Sequence, residues 1–491
     1  MVKYSCERCG KEFSQKSHHD SHNRSKSLCD NNADNIKSFV NKVVEKKLKE
    51  LNNKKLIVEN NKVNINTEVM DTQKSNPQDK LKFIDLCCGI GGFHYALQKL
   101  GYECVMASDM NEDCRLNYEI NHKIKPQGDL TKIDIKKIPK FNILCAGFPC
   151  QPFSKAGVQK GFEDVRGNIF FEICKIIKYH KPEYLILENV RNLSTHDSGN
   201  TWEVIKKNID TLNYYTFDKP VILNTLYFGV PQSRERVVIM CKRKDIGELP
   251  ILPSISKNNI KLTTLEDIVD ENVDKKYNLS GKLKETDKIW NNFLEICSVN
   301  NIIVPHYPIW TDWWDSDGNN TSITKYNKHL SKEENEKNIK KAQEDFYKKY
   351  KIWIDKNRKF YNTNIIILKP WLTESRKNKL WVGAVRKMEW QAGTKNLNMK
   401  QILWSPRGSG VRIKNINYSP TLVAMSSMIP IYGPKSRFLT PRECARLQSF
   451  PEEYILHSDD NKAYRQLGNA VNVKMIEKCT RFLILGESLF E

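Results

Sequence analysis

No run of apolar residues in this 491-residue chain approaches the ~20 needed to span a bilayer. The start, Met1-Val2-Lys3-Tyr4-Ser5-Cys6, has no apolar h-region of the kind that marks a secretory signal. The 14 cysteines lack the short, dense spacing of a secreted disulfide framework, and several (Cys87, Cys88, Cys145, Cys241) sit in or beside apolar stretches. These absences point away from membrane and secreted classes and toward an intracellular, reduced protein. Acidic residues are also in deficit, 58 against 79 Lys+Arg, for a net charge of +21. That balance favours a polyanionic partner, most often nucleic acid. Lys and Asn are dense along the whole chain, however, so part of the excess is compositional habit.

What is present divides into four stretches. Residues 1–33 form a small module with Cys6-x2-Cys9, Phe13, His22 and Cys29. Two thiolates, an imidazole and a third thiolate can close a tetrahedral zinc site. The opening Tyr-x-Cys-x2-Cys-x3-Phe resembles the C2H2 zinc-finger family. The six residues between His22 and Cys29 depart from its pattern, which leaves the fourth ligand open between Cys29, His18 and His19. Residues 34–80 read as a linker carrying one amphipathic helix (Ile36, Val40, Val43, Val44, Leu48, Leu51) that ends before Asn76-Pro77.

From 81 to 249, short apolar strands (82–86, 104–107, 142–145, 184–187, 237–240) alternate with helical stretches near 92–100, 111–120, 168–179 and 201–210. This predicts an α/β domain with a parallel sheet covered on both faces. Residues 250–435 lose the rhythm and hold nine of the ten tryptophans, between Trp290 and Trp404. Within them, 331–361 reads as a charged helix and 404–410 as a loop. A basic, aromatic, irregular domain suits DNA base and phosphate contacts, although each tryptophan taken singly reads as core. Residues 436–491 return to the α/β domain.

The chemistry concentrates at strand ends. Gly147-Phe148-Pro149-Cys150-Gln151 sets a thiol on a turn directly after a buried strand, at the edge where open α/β sheets bind ligands. A thiol held there can act as a nucleophile. Asp85-Leu86-Cys87-Cys88-Gly89-Ile90-Gly91-Gly92 runs from strand through a glycine turn into a helix, and Asp109 closes the next strand, placed for a ribose. The Gly-x-Gly-Gly spacing, with no pyrophosphate cradle, suits S-adenosyl-L-methionine better than a dinucleotide. Glu188 ends the strand after the Cys150 unit, and Arg234 and Arg236 precede the last strand. A thiol, a carboxyl and two guanidiniums on one edge make a nucleophilic site with proton transfer and anion stabilisation.

In this order the blocks resemble the DNA (cytosine-C5) methyltransferases, similar to bacterial restriction–modification enzymes. They are Asp-Leu-x-x-Gly-x-Gly-Gly at 85–92, Gly-Phe-Pro-Cys-Gln at 147–151, Gly-Phe-Glu-Asp-x-Arg-Gly at 161–167, Glu-Asn-Val at 188–190, Gln-x-Arg-x-Arg at 232–236, Arg-Glu-Cys-Ala-Arg-Leu-Gln at 442–448 and Gly-Asn-Ala-Val at 468–471. The resemblance implies a Rossmann-like methyltransferase domain with a target-recognition domain at 250–435. It implies Cys150, Glu188, Arg234 and Arg236 as catalytic residues. It implies a cofactor site of Asp85, Cys87, Gly89, Ile90, Gly91, Gly92, Asp109, Met110, Asp129, Leu130, Pro149, Ile169, Asn469 and Ala470. It further implies double-stranded DNA as partner, a monomeric catalytic unit, a mobile loop at 151–168 and, by family habit, a cognate restriction endonuclease. Such an enzyme works in the cytoplasm, or in a nucleus or viral replication site if the source is eukaryotic or viral. Position 87 is Cys where the family usually has Phe against the adenine. The related tRNA methyltransferases carry Cys-Phe-Thr, and no cysteine here is followed by Phe-Thr, which favours DNA. A catalytically silent scaffold is the remaining alternative, disfavoured because Cys150, Glu188, Arg236 and Asn469 are all in place.

Overall fold

The computed structural model describes residues 80–149, 169–256, 259–261, 263–315, 330–393 and 398–490, with two short strands near the start. The chain divides into two units, Met1–Gln78 and Asp79–Glu491. In the first, Tyr4–Ser5 pairs antiparallel with Glu12–Phe13. The zinc-ligand candidates Cys6, Cys9, His22 and Cys29, the alternatives His18 and His19, and the expected helix at 36–51 lie outside the described residues.

The second unit is built on a seven-stranded sheet. Its strands are β1 (Lys82–Leu86), β2 (Glu103–Ser108), β3 (Ile143–Gly147), β4 (Tyr184–Val190), β5 (Tyr214–Thr216), β6 (Val221–Asn224) and β7 (Glu235–Arg243). The order is β2-β1-β3-β4-β7-β5, with β6 also on β7. Strands β1 to β4 pair in parallel. Strand β7 runs antiparallel to β4, β5 and β6, so the sheet is mixed rather than parallel. The physical reason for the difference is that a doubly covered strand is apolar throughout in either direction, and its pattern carries no sense of polarity.

Alternate residues feed two cores. Ile84, Leu144, Leu185, Leu187, Val237 and Ile239 face one side, against helices α3 (Ile169–His180) and α4 (Asn200–Thr211). Phe83, Ile143, Ile186, Val238 and Met240 face the other. There they meet α1 (Gly92–Gln98) and α10 (Val473–Thr480), the latter from the far end of the chain. Helix α2 (Glu112–His122) follows β2, capped by the Asn111 side chain, which accepts from the Cys114 N–H.

Residues 250–435 are more ordered than their sequence suggests. Strands β8 (Ile309–Trp310), β9 (Lys387–Gln391), β10 (Ile402–Arg407), β11 (Gly410–Asn415), β12 (Ile431–Tyr432) and β13 (Arg437–Phe438) form a second sheet, order β8-β9-β11-β10-β12-β13. Helices α5 (Gly281–Val299), α6 (Lys332–Thr363) and α7 (Ile365–Arg376) accompany it. The expected charged helix is α6, begun by a Ser331/Glu334 capping box. The expected loop at 404–410 is instead the hairpin of β10 and β11, paired from Ile402↔Asn415 to Arg407↔Gly410. Its Pro, Gly and Ser read as breakers, but Ile402, Trp404, Val411 and Ile413 bury themselves in one cluster and hold the pairing. Seven of the nine tryptophans here are buried, Trp310 and Trp353 being the others. They are core first.

A buried ion pair joins β13 of this sheet to the helix that follows it. Arg437 donates to both Glu443 carboxylate oxygens at 2.7 and 2.9 Å, with side-chain exposures of 2% and 0%. Glu443, on α8 (Pro441–Leu447), also accepts from the N–H groups of Thr440 and Asp270. Removing one partner of such a pair strands a buried charge. Glu443→Ala is expected to destabilise the protein by about 3–5 kcal/mol, read as a shift of the urea unfolding curve. An unchanged curve would show that the pair is dispensable.

Candidate functional site

A cleft of about 490 Å3 opens at the C-terminal ends of β1, β2, β3 and β4. Its first wall is the glycine turn. Cys87, Gly89 and Gly91 all have positive φ (52°, 53° and 86°), which carries the chain sharply from β1 into α1. The turn is pressed from behind. A Cβ on Gly91 would fall 2.1 Å from His122 Nε2, and one on Gly92 would fall 2.4 Å from the Val471 carbonyl oxygen. A Cβ on Gly89 would meet nothing, and Gly89 lines the cleft.

Asp109, just past β2, fixes this turn. Its carboxylate accepts from the Gly89 N–H at 2.8 Å and the Asn111 N–H at 2.7 Å, each oxygen keeps further acceptor capacity, and the residue lines the cleft. Met110 beside it is 78% exposed, an apolar surface at the cleft wall. Asp129 accepts from the Thr131 N–H and hydroxyl, and those bonds hold its carboxyl below the usual carboxylate range.

The opposite wall carries the charged pair. Glu188 ends β4 and Arg236 begins β7; the antiparallel register sets Glu188 against Val238 and Arg236 against Val190. Arg236 Nε donates to Glu188 Oε1 at 2.8 Å, both side chains about nine-tenths buried. Burial raises the Glu188 carboxyl above its ordinary range, against the opposing pull of Arg236 and Arg234. Next to it, Asn189 donates to the Phe148 carbonyl at 2.9 Å, tying β4 to the turn that ends at Pro149.

Arg234 is fully buried and differently engaged. Its guanidinium donates to the carbonyls of Leu422 (2.9 Å), Gly468 (3.0 Å) and Ala470 (2.8 Å). It borders the cleft, and its bonds brace the returning chain. Asn469, between two of those carbonyls at the end of α9 (Asp460–Asn469), is thereby set in the cleft wall.

Of the expected cofactor residues, Cys87, Gly89, Asp109, Met110, Asp129, Leu130, Pro149, Ile169 and Asn469 line one cleft with Glu188, Arg234 and Arg236. Asp85, Ile90, Gly91, Gly92 and Ala470 do not. Asp85 is wholly buried behind the turn, where it accepts from Tyr118 Oη at 3.4 Å. Burial, then Asp109, pushes its carboxyl well above the usual range. Tyr118 also meets His94 Nδ1 at 2.7 Å, and His94 stacks on His122 at 3.9 Å. Burial lowers those imidazoles to about 4 and about 3, leaving both neutral. Ile90 offers its carbonyl to Tyr454 Oη. These residues shape the turn from behind. Cys150 and the glycines of the expected mobile loop lie outside the described residues; Pro149 is the last described residue before that gap.

Sequence reading missed Ser108, Asn111, Cys114, Phe148, Asn189 and Gly468 in the lining. Asn189 was visible inside Glu-Asn-Val, and Gly468 inside Gly-Asn-Ala-Val, but only the fold gives them tasks. A Cβ on Gly468 would fall 2.4 Å from the Val423 backbone. Cys114 carried no signal at all.

Comparison with known proteins agrees with this geometry. The chain is 32% identical over 429 residues to type II methyltransferase M.BanI of Aneurinibacillus aneurinilyticus, covering 81% of this chain and 94% of that protein. It is 30% identical over 410 residues to type II methyltransferase M.HhaI of Haemophilus parahaemolyticus, covering 84% and 95%. Over a shorter stretch of 219 residues, 43% of this chain and 60% of that protein, it is 43% identical to type II methyltransferase M.HpaII of Haemophilus parainfluenzae. Residues 81–484 match the model of the C-5 cytosine-specific DNA methylases, and with a match spanning both the cleft and the returning chain, this protein belongs to that family.

Proposed function

We propose that this enzyme transfers a methyl group to C5 of cytosine within a specific double-stranded DNA sequence, through a covalent Cys150–C6 adduct on a flipped-out base. The observation that carries the reading is the single cleft lined by Gly89, Asp109 and Asp129 on one side and by Glu188 and Arg236 on the other, with Pro149, the neighbour of Cys150 in sequence, on its rim. Family membership implies S-adenosylmethionine as methyl donor. The donor set fits it: a glycine turn with room at Gly89, a carboxylate at Asp109 for ribose hydroxyls, an exposed Met110 for the adenine face and an acceptor at Asp129 for its amine. When bound, it supplies an electrophilic methyl group.

Cytosine C5 is a weak nucleophile. Attack of the Cys150 thiolate on C6 forms a C–S bond and pushes the ring electrons toward C5 and N3. Glu188, its neutral form favoured by burial, hydrogen-bonds or protonates N3 and draws that density. Arg236 pairs with Glu188 and holds O2. C5 then takes the methyl group, a base removes the C5 proton, and the thiolate leaves as the ring double bond reforms. A stacked base is out of reach of a thiol, so the base is extruded at a cost of a few kcal/mol. Residues 250–435, with their sheet and tryptophan core, serve as the target-recognition domain. The type II methyltransferases among the relatives support a role as the modification half of a restriction–modification system, as a monomer beside a cognate endonuclease. The N-terminal module is proposed to bind zinc and add DNA or partner contacts. Arg234 is assigned to holding the site together.

Labelled methyl transfer from S-adenosylmethionine to mixed-sequence duplex DNA, beside a tRNA control, tests the reaction. Label is expected at cytosine C5 in DNA and absent with Cys150→Ser; label on tRNA alone would move the function to RNA. Glu188→Gln keeps the shape and a hydrogen bond but not the transferable proton. It is expected to lower kcat about 100-fold or more with little change in cofactor affinity by calorimetry. Full activity in that variant would remove Glu188 from the chemistry.

A further inference from the structure

The sheet has a second concave surface at its other end. Where β1, β3 and β4 begin and β7 finishes, a cleft of about 960 Å3 opens on the side away from the reaction site. Five lysines line it, Lys80, Lys82, Lys136, Lys140 and Lys181, together with Arg243. They come from separate parts of the chain. Lys80 and Lys82 lie at the entry to β1, and Lys136 and Lys140 in the crossover before β3. Lys181 follows the C-terminus of α3, and Arg243 ends β7.

The charges are poorly compensated. Two carboxylates share the lining, Glu103 and Glu183. Glu183 is engaged by the Asn142 amide at 3.0 Å, and Asn142 in turn accepts from the Lys82 N–H. Arg243 has its own partner, Asp245, at 2.6 Å. Among the described residues, none of the five lysines makes an ion pair. All five are exposed, and Tyr179, 55% exposed, stands at the rim. Elsewhere on this surface some lysines have a carboxylate partner, as Lys206 has Asp218, Lys244 has Asp210 and Lys462 has Asp113; what sets these five apart is their gathering in one concavity. Like charges gathered in a concavity raise one another's potential and focus the field on whatever enters. That arrangement costs stability unless a polyanion fills it.

We propose that this basic cleft is a second binding site for the phosphate backbone of DNA. It holds a segment distant from the target while the target sits in the reaction cleft. The two clefts lie at opposite ends of the five-residue strands β1 and β3, on the order of 15–20 Å of strand apart, and open in opposite directions. A single straight duplex does not reach both. A long DNA does, because it bends back over a few persistence lengths of about 150 base pairs. The second site then raises the local concentration of the rest of the molecule.

The test compares the full chain carrying Lys82→Gln, Lys140→Gln and Lys181→Gln with a control of equal charge, Lys99→Gln, Lys207→Gln and Lys219→Gln. On a short duplex with one target, both keep wild-type turnover. On kilobase DNA with the same single target, the cleft variant alone is expected to raise KM about tenfold. Its salt dependence of binding to long DNA should flatten by about 0.9 in log–log slope for each phosphate no longer neutralised. Equal KM and equal slope in the two variants would overturn the proposal. The slope is read by binding alone, so it stands or falls separately from the reaction proposed above.

Discussion

Three carbonyl groups converge on one buried guanidinium, and the site depends on that convergence. Arg234 takes Leu422, Gly468 and Ala470 as acceptors, and those residues lie some 190 to 240 positions further along the chain. Without that anchor the returning chain has no fixed place beside the cleft. With it, α9 ends at Asn469 in the lining, α10 packs on α1, and the Val471 carbonyl presses the glycine turn from behind. A guanidinium suits the task because its fork of donors satisfies several carbonyls at fixed angles where water is excluded. Gln232 does similar work nearby, donating to Leu447 O and accepting from Leu422 N–H. The Gln-x-Arg-x-Arg block therefore clamps the returning chain through Gln232 and Arg234 while Arg234 and Arg236 both border the cleft.

The same division of labour runs through the other motifs. In Arg442-Glu443-Cys444-Ala445-Arg446 no side chain lines the cleft. Glu443 pairs with Arg437, Arg442 holds the carbonyls of Pro451 and Tyr454, and Arg446 binds Asp270 and Glu452. Tyr454 then reaches Ile90 O in the glycine turn. A chain of polar contacts thus connects the returning segment to the backbone of the glycine turn. Behind the turn, Asp85, Tyr118, His94 and His122 form a buried polar core, in which burial lowers the imidazoles and pushes the Asp85 carboxyl well above its usual range. Charged members would have to be desolvated there, whereas neutral ones fill the space and share hydrogen bonds.

Glu188 and Arg236 illustrate what burial contributes. An exposed carboxylate beside an arginine would be held firmly ionised. Here desolvation opposes the ion pair and prevails, so the carboxyl keeps proton affinity beside a fixed positive charge. A group so balanced can hand a hydrogen bond to a ring nitrogen and recover it.

The sequence alone determined five of the seven strands of the α/β domain, missing β5 and β6, together with the glycine turn, the edge at which the chemistry gathers and the family. Each rests on local regularities: apolar runs between turns, glycines where φ is positive, polar residues directly after strands. It did not determine the direction of β7, because a doubly buried strand is apolar either way. Nor did it reveal the β10–β11 hairpin, whose Pro and Gly look like breakers until Ile402, Trp404, Val411 and Ile413 are packed together. The bonds of Arg234 to three distant carbonyls were equally hidden. A basic residue in a motif reads as a ligand contact, and only the tertiary structure decides whether its partners are a substrate or the protein's own carbonyls. The Asn189 bond to Phe148 O and the unpaired lysines at the far end of the sheet are likewise properties of distance in space. Those are fixed only when segments far apart in the chain are brought together.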